Sequence, residues 1–363
     1  MVNEKHANLP PLYEDWINEI LAGPIPRETS ATCDDCAMVT PSNEANNDTG
    51  YYFSAKSKCC TYLPQLPNFT VGRILADESP EMEFGRRSVE ARISSKCVVS
   101  PFGVGRPAVY SLLYKESVNA FGRSQSLLCP HYVEQSGHCG IWKYRGNVCA
   151  FWFCKFDRGI VGMQFWELMR QLFSAVEEEL AEWCVLQLNP GTEALRCLNA
   201  SQANNGTSKI DGSALDGNVD EKRYQRIWGN WHNREREFYQ ECAELVRPLG
   251  WSDVLERCGP KVPTLALLTR QAHKELTSHI VPERLRQAPI QLVRSNSDGD
   301  RVTTYSKFDP LELPKPMMNL LHYFDGRPTG EVLQQIAEDE GIRLDSGAVR
   351  KLTDFEILVP CSD

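Results

Sequence analysis

Eight cysteines in the first half of this 363-residue chain are grouped in a pattern that could bind metal. They are Cys33, Cys36, Cys59, Cys60, Cys129, Cys139, Cys149 and Cys154. A CxxC pair in a tight turn directs two thiolates at one metal ion, and such groups from distant segments together close a tetrahedral set of ligands. We therefore predict that all eight are metal ligands.

The adjacent pair Cys59 and Cys60 limits how these ligands can share metals. Neighbouring side chains diverge in extended backbone, so both reach one metal only through a strained turn. We expect each of the two to serve a different centre, which divides eight thiolates into two four-cysteine sites. A single four-cysteine site, with the other cysteines free, is the alternative that the spacing leaves open.

The residues around the last cysteines bear on which metal is bound, because four thiolates suit both zinc and an iron–sulfur cluster of the 4Fe-4S type. Aromatic side chains would keep water from a cluster, and basic ones would offset the thiolate charge. The aromatic residues are Trp142, Tyr144, Phe151, Trp152 and Phe153, and the basic ones are Lys143, Arg145, Lys155 and Arg158. This composition favours iron–sulfur. In the alternative, the aromatic residues are the core of a small zinc-stabilised fold.

Composition argues for a globular protein of the cytoplasm. Fourteen cysteines are many for an intracellular chain, and metal binding would explain them. Disulfides in a secreted protein are the rival explanation, but the first thirty residues contain no apolar run typical of a signal peptide. No segment has the roughly 20 apolar residues of a membrane span, so we expect no membrane partner. The net charge of −9 argues against nucleic acid as the main partner.

Apolar periodicity predicts an α+β fold with three regions. Residues 1–160 form an irregular, metal-stapled cysteine cluster domain without a long helix after Cys33. Residues 161–285 form a helical region with a polar loop at 189–219. Residues 286–363 form a small winged-helix-like domain. Individual helices are predicted at residues 13–21, 163–188, 221–249 and 265–279.

The last region is predicted from its alternation of short elements. Strands at 290–293 and 302–305 precede helices at 315–324, 331–340 and 346–353, and a strand at 355–359 closes the region. The final helix offers only Arg350 and Lys351 against Asp345 and Asp354, which is too little positive charge for a DNA recognition helix.

The run CPHYVEQSGHCGIWKYRGNVCAFWFC, from Cys129 to Cys154, resembles the second half of the YkgJ-like cysteine cluster family, which is described as a zinc- or iron-chelating domain. Four earlier cysteines would match the first half, with an insertion between Cys36 and Cys59. The resemblance covers residues 31–160 and implies the same eight ligands. The family includes flagellin lysine N-methylases, which implies methyl transfer with S-adenosylmethionine and an iron–sulfur centre.

Independent motifs for that methyl transfer are absent from the sequence. It contains neither the CxxxCxxC signature of radical enzymes nor a Gly-rich loop after a strand. Methylase activity is therefore a secondary hypothesis.

The C-terminal run LLHYFDGRPTGEVLQQIAEDEGIRLDSGAVRKLTDFEILV resembles the winged-helix fold of peptide-binding chaperones related to the pyrroloquinoline-quinone biosynthesis protein D. The matching residues are Phe324, Asp325 and Gly326 before a helix that begins with Thr, and the closing segment 352–359. The resemblance implies that an exposed strand edge and the adjacent helix hold a substrate peptide.

Two classes of function follow from these patterns. The first is a metal-binding, iron–sulfur or zinc protein that acts in modification of a peptide or protein side chain, with the C-terminal domain delivering the substrate. The second is a non-enzymatic, zinc-stabilised interaction or regulatory protein. The sequence does not decide whether the chain is an enzyme.

Overall fold

A computed structural model describes residues 9–28, 36–39, 52–117, 119–203, 218–297 and 299–361. Helices account for 54% of the structure and strands for 11%, so the predicted mixture of helix and sheet is confirmed. Among the described residues, no helix combines the length and the apolar character that crossing a bilayer requires.

The secondary structure is dominated by helices in the first three quarters of the chain. In the region that carries the cysteines the helices are α1 (Pro11–Ile20), α2 (Asn68–Ala76), α3 (Glu83–Ser94), α4 (Ala108–Glu116) and α5 (Asn147–Phe151). The helices that follow are α6 (Gly159–Leu188), α7 (Thr192–Ala203), α8 (Glu221–Trp228), α9 (Glu235–Val246), α10 (Trp251–Arg257) and α11 (Lys261–Thr277). The last part contains α12 (Lys315–Leu320), α13 (Thr329–Asp339) and α14 (Ser346–Asp354).

In the part of the chain that the structure describes, short strands form four small antiparallel sheets. In the cysteine region, β1 (Leu66–Pro67), β2 (Val99–Ser100) and β3 (Gly103–Val104) pair in the order β1-β3-β2, and β4 (Tyr132–Val133) pairs with β5 (His138–Cys139). The C-terminal strands are β6 (Arg284–Gln287), β7 (Leu292–Ser295), β8 (Gly299–Val302), β9 (Leu311–Pro314), β10 (Asp325–Pro328) and β11 (Leu358–Pro360). They form two sheets with the orders β10-β6-β11 and β7-β8-β9.

Buried apolar side chains form two separate clusters. The first runs from Leu9 to Leu276 and is organised around α6, whose buried residues include Phe165, Trp166 and Phe173. The second runs from Leu285 to Leu358. The predicted boundary after residue 160 lies inside the first cluster, and the one after residue 285 lies close to the gap between the two.

The prediction that no long helix occurs between Cys33 and residue 156 is wrong, because α2, α3 and α4 each have nine to twelve residues. Their burial explains the error. Helix α3 buries only Gly85 and Val89, and α4 buries no residue fully, so neither has an apolar stripe. Helix α2 is buried on most of its surface and therefore lacks a polar face.

The predicted loop at 189–219 is also wrong in part. Residues 192–203 form α7, which buries Ala194 and Leu198 and packs against α8. Residues 204–217 lie outside the described part of the chain. Small and polar residues hide this helix from periodicity, because few of its described side chains are buried.

The structure has helices at the predicted positions of the middle region, but their bounds differ from the prediction. Helix α6 begins at Gly159, four residues before the predicted start, and the helix predicted at 221–249 is divided into α8 and α9. The break follows from Gly229, whose φ of +47° is left-handed and whose Cβ, if present, would lie 2.1 Å from the carbonyl oxygen of Pro190.

In the C-terminal part, α12, α13 and α14 lie within a few residues of the three predicted helices, although α12 ends at Leu320. The strands are less well predicted. Strand β6 was not expected, and β8 spans Gly299–Val302 instead of 302–305. Exposed strands such as β7 carry too little alternation to fix their ends.

Candidate metal centre

Backbone hydrogen bonds bring three of the cysteine segments together. The Cys129 N–H donates to the carbonyl oxygen of Cys60 at 2.8 Å, and the Tyr132 N–H donates to the carbonyl oxygen of Cys129 at 3.0 Å. Tyr132 is in turn paired with Cys139 across β4 and β5. Residues far apart in sequence therefore present their thiols to a common region.

The turn that carries Cys59 and Cys60 is held by contacts with residues 120–124. The Ser57 hydroxyl donates to the carbonyl oxygen of Gly122 at 3.0 Å, and the Gly122 N–H donates to the Thr61 hydroxyl at 2.7 Å. Gly122 has a φ of +75°, and a Cβ there would lie 2.2 Å from the ring of Phe53. Only glycine allows this close approach.

Cys36 reaches the same region from a short described segment. The Val39 N–H donates to its carbonyl oxygen at 3.0 Å, and the Phe53 N–H donates to the carbonyl oxygen of Met38 at 2.6 Å. This joins the turn at residues 36–39 to the residues before Cys59. The other cysteine of the CxxC pair, Cys33, lies outside the described residues.

The seven described thiols interact electrostatically, and we group them in two sets. The first thiol set comprises Cys60, Cys129, Cys139 and Cys149. After burial, Cys139 and Cys129 raise the pKa of Cys149, and they also raise that of Cys60, on which Cys59 and burial have the larger effects. The second thiol set comprises Cys36, Cys59 and Cys154, since the pKa of Cys154 is raised, after burial, by Cys59 and Cys36. Cys59 also raises the pKa of every member of the first thiol set, so it interacts with both sets.

Burial is the largest cause of the raised pKa at most of these thiols. It raises the pKa of Cys129 to about 12 and that of Cys139 to about 11, and repulsion between neighbouring sulfurs adds to the effect. In the adjacent pair a hydrogen bond between the two thiols dominates instead, lowering the pKa of Cys59 and raising that of Cys60.

Arg145 is the basic residue that most directly faces the thiols. Its side chain is 3% exposed, donates to the carbonyl oxygens of Trp142 and Cys149 at 2.8 and 3.1 Å, and stacks on the Trp142 ring at 3.6 Å. Its charge lowers the pKa of Cys59, Cys139 and Cys149 against the effect of burial. A buried guanidinium in this position stabilises thiolates.

The other three basic residues of the sequence pattern divide between the thiols and other partners. Lys155 lowers the pKa of Cys154. Lys143 instead pairs with Asp77 at 2.7 Å, and Arg158 pairs with Asp354 at 2.5 Å. Lys58, which the sequence pattern did not single out, lowers the pKa of both Cys36 and Cys59.

The aromatic residues near the last cysteines do not all surround the thiols. Phe151 and Phe153 pack on Trp166 of α6, with ring centroids 6.0 and 4.8 Å away, and belong to the large core. Trp152 is different, since it lowers the pKa of Cys154 against the larger effect of burial, while 46% of the residue is exposed. The predicted aromatic enclosure is therefore divided between core packing and interaction with a thiol.

His131 flanks Cys129 in sequence but is not among the predicted ligands; it is fully buried, and Arg92 beside it is half-buried. The Ser88 hydroxyl donates to the carbonyl oxygen of Gly85, so the His131 Nδ1–H donates to Ser88 at 2.7 Å. The Nε2 atom of His131 and one terminal nitrogen of Arg92 are buried without a hydrogen-bond partner. Burial, and next the charge of Arg92, lower the pKa of His131 to about 3. No spacing pattern in the sequence distinguishes these residues.

The donor chemistry suits zinc or an iron–sulfur cluster, because the thirteen described cysteines are free thiols and seven of them converge. Their placement is not that of a closed site. Within the described ranges, no group of three or more His, Cys, Asp or Glu side chains is arranged to hold a metal ion. The second thiol set contains three described members, and Cys33 lies outside these ranges.

Cys184 and Cys242 are outside the candidate site. Both are fully buried in the large core, where the Cys184 thiol lies 3.8 Å from the carbonyl oxygen of Cys242. They behave as small apolar residues.

Comparison of the chain with protein-family models, with curated proteins and with solved structures finds no match in any of the three.

Proposed function

We propose that this chain is a metal-binding protein with two four-cysteine centres that hold 4Fe-4S clusters or zinc. The first centre would use Cys60, Cys129, Cys139 and Cys149. The second would use Cys33, Cys36, Cys59 and Cys154. The observation that carries the proposal is that seven thiols from distant segments interact electrostatically, and that Cys59, Cys139 and Cys149 also interact with the buried Arg145.

Electrostatics supports a cation at these positions. Burial and mutual repulsion raise the pKa values of the clustered thiols, so the set is unfavourable as bare thiolates. A bound metal cation reverses this balance, because it favours the deprotonated ligand. A zinc ion would stabilise the fold of this region, whereas an iron–sulfur cluster would also supply one-electron chemistry.

An enzymatic role rests on the two resemblances in the sequence. In that reading the metal centres act in modification of a peptide or protein side chain, and a winged-helix-like C-terminal unit binds the substrate. The arrangement of α12, α13, α14 and β11 is compatible with such a unit. A non-enzymatic zinc-stabilised interaction or regulatory protein is the alternative.

Nucleic acid is a poor candidate partner for the C-terminal unit. Arg350 of α14 bonds to Asp354 at 2.9 Å and also donates to the carbonyl oxygen of Ile280. A guanidinium held by these contacts contributes little to phosphate binding.

Anaerobic purification of the full chain, followed by measurement of iron, acid-labile sulfide and zinc per chain, tests the proposal. A brown protein with broad visible absorbance and about equal iron and sulfide would identify iron–sulfur clusters. A colourless protein with stoichiometric zinc would identify zinc and exclude the redox role. A folded chain that retains neither metal would overturn the proposal.

A further inference from the structure

We propose that three buried carboxylates, Glu177, Glu28 and Asp309, are positioning residues that fix the two cysteines of segment 147–157. This segment carries Cys149 of the first thiol set and Cys154 of the second. The inference rests on the proposed function, because it assigns these residues to the metal centres.

Glu177 of α6 holds the beginning of the segment. It is 7% exposed and accepts hydrogen bonds from the Asn147 backbone N–H at 2.8 Å, from the Asn147 side-chain amide and from the Tyr13 hydroxyl. Asn147 is two residues before Cys149. The carboxylate therefore sets the position at which α5 begins and, with it, the direction of the Cys149 side chain.

Glu28 holds the end of the segment. It is 3% exposed and accepts from the Asp157 backbone N–H at 2.6 Å and from the Trp166 indole N–H at 2.8 Å. Asp157 is three residues after Cys154. Trp166 belongs to α6, so this carboxylate ties the segment to the same long helix as Glu177 does.

Asp309 contributes a third contact from the C-terminal unit. It is 5% exposed and accepts from the Phe156 backbone N–H at 3.2 Å and from the Tyr305 hydroxyl. The Tyr305 ring also lies 6.4 Å from that of Phe156. The C-terminal unit thereby reaches the residues directly after Cys154.

General packing does not account for these three residues. Burying a carboxylate is unfavourable unless several donors satisfy it, and an apolar side chain would fill the same space without that penalty. Here the carboxylates bind main-chain N–H groups at the two ends of one short segment, and that segment contains a ligand of each centre. Hydrogen bonds beyond the ligands characteristically orient metal-binding residues, and their loss lowers metal affinity about 10- to 100-fold.

Glu177→Gln tests the inference, because the amide keeps the shape but offers fewer acceptors for three donors. Its matched control is Glu178→Gln, which makes the same change at the exposed neighbour on α6. The readout is alkylation of individual cysteines in the metal-loaded full chain, mapped by mass spectrometry, together with metal per chain. Bound metal protects its ligand thiols, and buried Cys184 and Cys242 report unfolding.

We expect Glu177→Gln to weaken metal retention about 10- to 100-fold and to expose Cys149 first, with Cys154 still protected. Asp309→Asn should expose Cys154 first, with Cys149 still protected. Glu178→Gln should behave as the wild type. If Glu177→Gln does not fold, Asp309→Asn decides the matter by the same readout.

Failure of the inference and failure of the proposed function are distinguishable. A wild-type chain without metal refutes the proposed function. Two results would refute the positioning role alone, provided that the wild type binds metal. In the first, Cys149 is as well protected in Glu177→Gln as in the wild type. In the second, Cys149, Cys154 and Cys184 become exposed together in both variants.

Discussion

The cysteine region and the C-terminal unit are stabilised by different interactions. In the C-terminal unit, α13, α14 and β11 surround a compact apolar core with fully buried residues such as Val332, Ile336 and Ile357. Between residues 119 and 145 the buried apolar side chains are few, and a charged guanidinium, that of Arg145, is buried among the thiols. The first arrangement is stabilised by the hydrophobic effect, whereas residues 119–145 contribute little buried apolar area of their own.

This difference indicates which region a bound metal should stabilise. Thiolates repel one another and stabilise the fold only when a cation joins them, so the free energy of unfolding of the cysteine region should depend on metal. The apolar core of the C-terminal unit should not. The two regions meet through Asp309 and through the ion pair of Arg158 with Asp354, so effects on one can be measured against the other within one chain.

Metal removal is expected to have the largest effect. Structural zinc contributes about 10–16 kcal/mol in zinc-finger peptides, so a chelator should remove most hydrogen-exchange protection from residues 52–63 and 129–154. The amides of α13 and α14 should keep theirs. Hydrogen exchange followed by mass spectrometry measures both regions in one sample. Equal loss in both regions would contradict the comparison.

Substitutions at Cys59 and Cys60 should sharpen the division into two centres. Each single change to serine should remove the metal of one centre, and Cys59→Ser together with Cys60→Ser should remove both, because we assign one thiolate to each. Metal per chain measured by mass spectrometry gives the result, with Cys197→Ser as a control outside the two sets. Loss of only half of the metal from the double variant would rule out this assignment.

Ile336→Ala should destabilise the C-terminal unit and leave metal content unchanged. Ile336 is fully buried in α13, and truncation of such a side chain costs about 2–5 kcal/mol. The exposed neighbour Gln334 provides a control, since Gln334→Ala should change stability by less than about 0.5 kcal/mol. Denaturant unfolding and metal analysis measure the two quantities. Metal loss in Ile336→Ala would show that metal binding in the cysteine region depends on the stability of the C-terminal unit.

A pH-dependent contribution from Glu28 should be the smallest effect. Burial raises its pKa to about 7, while an unfolded glutamate titrates near 4.3. Between these two pKa values the folded chain therefore binds more protons than the unfolded chain. Its free energy of unfolding falls as pH rises through that window. The difference in unfolding free energy between wild type and Glu28→Gln should fall by up to about 1.4 kcal/mol per pH unit. A difference that does not change with pH would refute a raised pKa of Glu28.

Sequence patterns were informative where a feature is local and repeated. Helix α6 was predicted because its buried side chains recur at helical spacing over many turns. Helices α3 and α4 were missed because they bury few residues, so their formation depends on contacts that periodicity does not record. Likewise, α7 was predicted as loop because only its contacts with α8 and the core distinguish it from a polar linker.

By itself the sequence determined which cysteines are candidate ligands, since CxxC and adjacent pairs are local patterns. Only the tertiary structure shows that seven of them interact with one another, and that Glu177, Glu28 and Asp309 bond to the segment of Cys149 and Cys154. The physical reason is distance along the chain. Charge interactions and buried hydrogen bonds act through space, and the bonds from the three carboxylates to this segment join residues up to 153 positions apart.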